Sequence, residues 1–167
     1  MVISVTSLKK TMVGDIFAAQ SAKGLCRVAF GRTSEKRFLA SLADMFGSDA
    51  TFEMRPLPIV QVQLKNYLAG TATSFNLEVD LSGLTTFQRQ VLRQTMRIPY
   101  GRTSSYGEIA ARVGRPSAQR AVGNAVGANP IPIVIPCHRV IASDGSLGGY
   151  GGGLSYKKKL LKLEGVL

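Results

Sequence analysis

The stretch from Pro130 to Gly153, PIPIVIPCHRVIASDGSLGGYGGG, places Cys137 directly beside His138. The chain has two cysteines and one histidine, so this dipeptide joins one of its two thiols to its only imidazole. The chemistry open to such a pair is nucleophilic. A thiolate is the attacking form, and from a reference pKa of about 8.5 a useful cysteine needs a base or a positive field nearby. Neighbours in an extended segment point to opposite faces, so Cys137 and His138 need a turn or a bridging water to work together. The imidazole needs a further group to orient it, and Glu108, Asp144 and Glu164 are the only carboxylates after Asp80. A buried structural thiol beside a surface histidine is the competing reading, and for an arbitrary Cys-His dipeptide it is the commoner one.

Other uses of these residues are narrower. Two cysteines far apart do not make the framework of a small secreted scaffold, so both read as thiols. Without a paired C-x-x-C, the closed tetrahedral zinc site of nitrogen and sulfur ligands cannot be built, and no metal or other cofactor is expected. Cys26 falls within an apolar strand pattern, where a small buried hydrophobe is the expected role.

The elements that must hold the dipeptide can be read from the pattern on either side. GDIFAAQ and LCRVAFG flank the polar turn SAKG as a hairpin. SEKRFLASLADMFG carries Ser34 as an N-cap, apolar Phe38, Leu39, Leu42 and Phe46, and Gly47 past its end, which predicts a helix. A second helix is predicted over about Ile59–Leu68, and FNLEVDL alternates as a strand. After DLSG the pattern turns to short helices. Thr85 with Gln88 and Ser105 with Glu108 form two capping boxes, the first leading Phe87, Val91, Leu92 and Met96 at helical spacing. Gly114 closes the helix YGEIAARVG, and Pro116 is expected in the first turn of the next, PSAQRAVGNAVGAN. Two helices joined by a glycine turn read as a helix-turn-helix. The second offers Ala118, Ala121, Gly123 and Ala125 with a single Arg120, a set that suits close packing on another helix or entry into a minor groove.

The chain of 167 residues fits one domain or two small ones. No apolar run reaches the roughly 20 residues of a membrane span and the first residues lack a signal-peptide core, so an intracellular, cytoplasmic protein is expected. The net charge of +11 is uneven: residues 1–83 carry nine Lys and Arg against seven Asp and Glu, residues 84–167 twelve against three. The +9 half is the candidate polyanion binder, with nucleic acid ahead of anionic lipid or an acidic protein.

IPCHRV, preceded by RAVGNAVGA and NPIPIV and followed by GGYGGGLSYKKKLLKLEG, closely resembles the O6-alkylguanine-DNA alkyltransferases. TTFQRQVL and IPYGRTSSYGEIA match as well, so the resemblance runs through residues 84–165, while the first half resembles the family in its order of strand and helix. The resemblance implies a ribonuclease-H-like α/β domain over residues 1–80, then a mostly helical, winged-helix-like domain with a helix-turn-helix over residues 84–167. It implies that Cys137 accepts the alkyl group in a direct displacement, that His138 is the base acting through water, and that Glu164 orients it. Asn129 matches the hinge before the cysteine loop. Tyr106 matches the tyrosine that rotates a phosphate and gives a proton to the leaving guanine, and Arg120 the arginine that fills the stack left by the extruded base. Ala118, Gln119, Ala121 and Gly123 fall on the DNA face, and Val140, Tyr150 and Gly151 on the base pocket. Gln119 and Gly151 depart from residues common in the family, which bears on DNA fit and alkyl range.

The partner implied is double-stranded DNA carrying O6-alkylguanine, with O4-alkylthymine a further candidate, and a monomer with no membrane contact is expected. Three rivals are a non-catalytic lesion binder, a helix-turn-helix regulator and a cysteine hydrolase. The retained cysteine opposes the first, the small-residue helix the second, and the adjacency of Cys and His the third.

Overall fold

A computed structural model describes residues 1–167, which divide into two compact units, Met1–Gly83 and Leu84–Leu167. In the first unit β1 (Val2–Thr11), β2 (Gly14–Ser21) and β3 (Gly24–Gly31) are followed by α1 (Glu35–Phe46), β4 (Thr51–Met54) and α2 (Pro58–Leu68). The sheet order is β3-β2-β1-β4, antiparallel except for β4, which runs parallel to β1. Alternation sends Ile3, Val5, Phe17, Ala19 and Cys26 to one face, where α1 covers them with Phe38 and Leu42. Ser34 caps α1 by accepting from Arg37 N at 3.3 Å, and Gly47 ends it at φ +76°. α2 packs on β1, with Gln61 Nε2 donating to Ser7 O at 3.2 Å.

The expected hairpin forms, with Ser21 paired to Gly24 so that only Ala22 and Lys23 turn. The expected strand FNLEVDL does not. Phe75–Leu81 is irregular and meets the sheet through one bridge, Leu25 to Val79, with Leu25 N donating to Glu78 O and Asp80 N to Leu25 O, each at 2.8 Å. The chain crosses so close over Gly24 that a Cβ there would stand 2.6 Å from Glu78 O.

The second unit comprises α3 (Thr86–Met96), β5 (Ser104–Ser105), α4 (Tyr106–Arg112), α5 (Gln119–Gly127), a 3-10 turn (Cys137–Arg139), β6 (Val140–Ile141) and α6 (Leu154–Leu163). Both capping boxes form as spaced. Met96 is exposed, and the inward place on the last turn of α3 goes to Thr95, whose hydroxyl donates to Val91 O at 3.0 Å. Pro116 stands before α5 rather than in its first turn, because Ala118 N bonds back to Arg115 O at 2.9 Å and the helix begins at Gln119. α3, α4 and α5 enclose a core of Val91, Ile98, Ile109, Ala110, Val122, Ala125 and Val126 that also takes in Cys137 and Val140. No helix of the chain is long and apolar enough to cross a membrane.

Candidate active site around Cys137

The apolar run before the cysteine is shaped by Asn129. Its Oδ1 accepts from Ile131 N at 2.9 Å, and its Nδ2 donates to Ile135 O at 3.0 Å. Ile135 N closes the loop onto Ile131 O at 2.9 Å, and Ile133, a β-branched residue, is held at φ +75°. That conformation is strained for isoleucine and persists only where its surroundings impose it. Cys137 therefore does not sit in an extended segment. It opens the 3-10 turn, with Arg139 N donating to Pro136 O at 2.9 Å.

The turn sends three consecutive side chains into the interior. His138 is fully buried, not a surface residue, and its Nε2 lies 2.8 Å from Glu164 Oε1. Arg139 grips the same carboxylate, Nε to Oε2 at 2.9 Å and Nη2 to Oε1 at 2.8 Å, while its Nη1 donates to Ile98 O at 2.7 Å. Gly101 N adds a further donor to Glu164 Oε2 at 3.2 Å. The other two candidate carboxylates are used elsewhere: Glu108 closes the α4 capping box, and Asp144 accepts from Ser146 N in a turn. An anionic Glu164 holds a proton on Nε2, which makes Nδ1 the basic nitrogen of the ring.

The electrostatics keep both reacting groups neutral at rest. Burial pushes the His138 pKa below its ordinary value of 6.5, against the hydrogen bond and charge of Glu164, and the charges of Arg139 and Lys157 push the same way as burial. Burial likewise raises the Cys137 thiol, opposed by hydrogen bonds from Asn129 and Tyr150 and by the charge of Lys157. A buried neutral thiol needs a base at the moment of attack.

Lys157 was not foreseen. It is fully buried, and its ammonium donates to Val140 O at 2.6 Å, to Leu147 O and to Gly149 O at 3.3 Å, so α6 clamps the glycine-rich loop. Burial lowers its pKa to about 8, with the negative charge of a Cys137 thiolate acting in the other direction. The clamp sets Gly148, at φ +68°, against Tyr106: a Cβ there would stand 3.1 Å from the phenol oxygen. The ring also passes Gly123 of α5, where a Cβ would lie 3.8 Å away. Burial and the charge of Cys137 raise the Tyr106 pKa.

Tyr106 and Tyr150 both pack on the cluster that contains Cys137 and Val140. Arg120 and Ala121 are exposed at the start of α5, with Ala118 half-buried before them. Gln119 turns back toward α4, its Nε2 3.3 Å from where a Cβ of Gly107 would be. Gly151 is exposed, and nothing lies within 4 Å of where its Cβ would stand. Arg139 and Lys157 were the residues missed. The first stands inside the quoted IPCHRV motif, while the second is hidden in a lysine run that reads as a solvated face. No group of three or more His, Cys, Asp and Glu side chains converges as a metal site.

The small mixed sheet with helices, followed by a helical unit, is an architecture shared with solved relatives. The structure of the Mycobacterium tuberculosis protein OGT in complex with DNA superposes with a TM-score of 0.81 at 37% identity, covering 96% of this chain and 92% of that one. The O6-methylguanine-DNA methyltransferase of Pyrococcus kodakaraensis gives 0.73 at 26% identity, with coverage of 98% and 99%. Residues 86–166 match the family model described as 6-O-methylguanine DNA methyltransferase, DNA binding domain. A methylated-DNA--protein-cysteine methyltransferase of Methanosarcina barkeri is 43% identical over 152 residues, 91% of each chain. That of Mycobacterium bovis is 56% identical over 102 residues, and the matched part spans 61% of its length. The chain belongs to the methylated-DNA--protein-cysteine methyltransferase family.

Proposed function

We propose that this protein repairs alkylated duplex DNA by taking the alkyl group from O6 of guanine onto its own Cys137, once per molecule. The observation that carries this reading is the turn in which Cys137 is followed by two buried side chains that both reach Glu164. A thiol kept neutral by burial, beside a neutral imidazole whose tautomer is fixed, is suited to lose its proton only when an electrophile is in place.

The lesion has to leave the base stack to reach the sulfur, at a cost of a few kcal/mol. Arg120 fills the gap from the start of α5, and Ala118, Gln119, Ala121 and Gly123 form the surface that enters the DNA. Tyr150, Val140 and the loop through Gly151 receive the base, and Asn129 is the hinge that keeps the cysteine loop in register. The thiol proton passes to His138 through water as the C–S bond forms and the C–O6 bond breaks, and the bonding pair stays with the guanine oxygen. Tyr106 supplies a proton to the departing base and regains one from solvent, to which the imidazolium returns its own. The product is a thioether with no comparably good leaving group, so the cysteine is not regenerated.

Within this reading the first unit is ribonuclease-H-like and the second winged-helix-like, with α4 and α5 as the helix-turn-helix. Two free thiols and a DNA substrate suit a cytoplasmic setting. The test is intact mass after incubation with duplex DNA carrying O6-methylguanine. One methyl group should appear, and peptide mapping should assign it to Cys137. An adduct on Cys26 would overturn the assignment, and an unchanged mass would favour a lesion binder.

A further inference from the structure

A depression of about 450 Å3 opens on the second unit between the end of α3, the segment through Thr103 and Ser104, and the end of α4. Its border carries Arg97 and Arg112, together with Gln94 and Thr103. No hydrogen bond or ion pair within the fold holds these four side chains, whereas three other arginines of the unit are engaged: Arg89 donates to Leu84 O, Arg115 lies over Phe87, and Arg139 is buried on Glu164. Arg93 is exposed one turn before Arg97 on the same face of α3.

We propose that this depression is a phosphate site holding the backbone of a nucleic-acid strand beyond the helix-turn-helix. It rests on the reading of duplex DNA as the partner. Arginine at a helix C-terminus also complements its own helix dipole, but the carbonyls there are already taken: Arg97 N and Ile98 N bond to Gln94 O and Thr95 O, and Val113 N and Gly114 N to Ile109 O and Ala111 O. The guanidinium forks, which match phosphate oxygens in geometry, are thus left for a ligand. Competing acid is scarce. Glu108 is the one carboxylate close to Arg112, and its Oε2 is occupied by Ser104 Oγ at 2.9 Å and Ser105 N at 2.7 Å. The depression that Arg97 and Arg112 border is open rather than a closed cage, which suits a run of phosphodiesters better than a single small anion. Ile98, whose carbonyl is held by Arg139, also lines the depression, and none of the residues assigned to the base pocket does.

The experiment is the salt dependence of binding to a long unmodified duplex for the full chain, Arg97→Gln/Arg112→Gln, and Lys158→Gln/Lys159→Gln as a control that removes equal charge from exposed positions on α6. The arginine variant should lose about 1.8 from the slope of log K against log salt, and the lysine control less than half of that. Thermal melting of each variant checks that the fold is intact. An arginine-variant slope equal to wild type, or an equal loss in the control, overturns the proposal while leaving the DNA reading standing. A flat wild-type slope overturns both. If inorganic phosphate raises the melting temperature of wild type only, with equal DNA slopes, the depression is a small-anion site and the strand proposal fails.

Discussion

His138 and Glu164 lie 26 residues apart in sequence and meet at 2.8 Å, and Arg139 reaches the same carboxylate from the next position along the turn. One acid thus answers to two neighbours of the cysteine. Glu164→Gln should leave the Arg139 guanidinium buried without its counter-charge, at about 3 kcal/mol of stability. It also removes the anion that fixes the imidazole proton, so transfer from free O6-alkylguanine should slow roughly a hundredfold. Denaturant unfolding and a single-turnover rate read the two effects, and a variant with normal stability and rate would remove Glu164 from both roles.

Because His138 is held below its ordinary pKa, the unfolded chain takes up a proton there that the fold refuses. The stability contributed is complete above the unfolded value near 6.5 and is lost as pH falls from there toward the folded value, with a slope of at most about 1.4 kcal/mol per pH unit. Unfolding free energies between about pH 7 and about pH 5 should fall for wild type and fall less for His138→Asn. Parallel curves would count against a buried neutral imidazole.

Gly148 and Tyr106 touch so closely that Gly148→Ala has two penalties, a left-handed backbone and a methyl 3.1 Å from the phenol oxygen. The expected destabilisation is about 1–2 kcal/mol. Displacement of Tyr106 should slow repair of a duplex lesion more than reaction with the free base. Equal slowing on both would assign the effect to the pocket alone.

Arg120 is exposed at the second position of α5. If it replaces the extruded base, Arg120→Ala should slow duplex repair at saturating DNA and spare the free base, since only the duplex requires flipping. A simple phosphate contact predicts instead weaker binding to all duplexes with a salt slope lower by about one.

Elements signalled by their own residues were legible in the sequence. Ser34, the two capping boxes and Gly47 act within one helical turn, so their spacing suffices. β4 carries no such signal, because TFEM is short, mostly exposed, and made a strand only by parallel pairing with β1 from the start of the unit. Phe75–Leu81 has the alternation of a strand and lacks a continuous partner, so it gains one bridge. At the site, the Cys-His pair stood out in the sequence and the short supply of carboxylates left Glu108, Asp144 and Glu164, among which only the family resemblance pointed to Glu164. The burial of Arg139 and Lys157 could not, since charged residues are placed inside only by the carboxylate and the carbonyls that the fold brings to them.

The order of these parts along the chain has a consequence for synthesis. A ribosome delivers Cys137 well before Lys157 and Glu164, which come from α6 and its cap. Until that last helix docks, the imidazole has no carboxylate and the glycine loop no clamp, so the nascent thiol is an ordinary one. Placing the orienting carboxylate and the loop clamp downstream of the acceptor means that the site is assembled only after the residues of α6 and its cap have been translated.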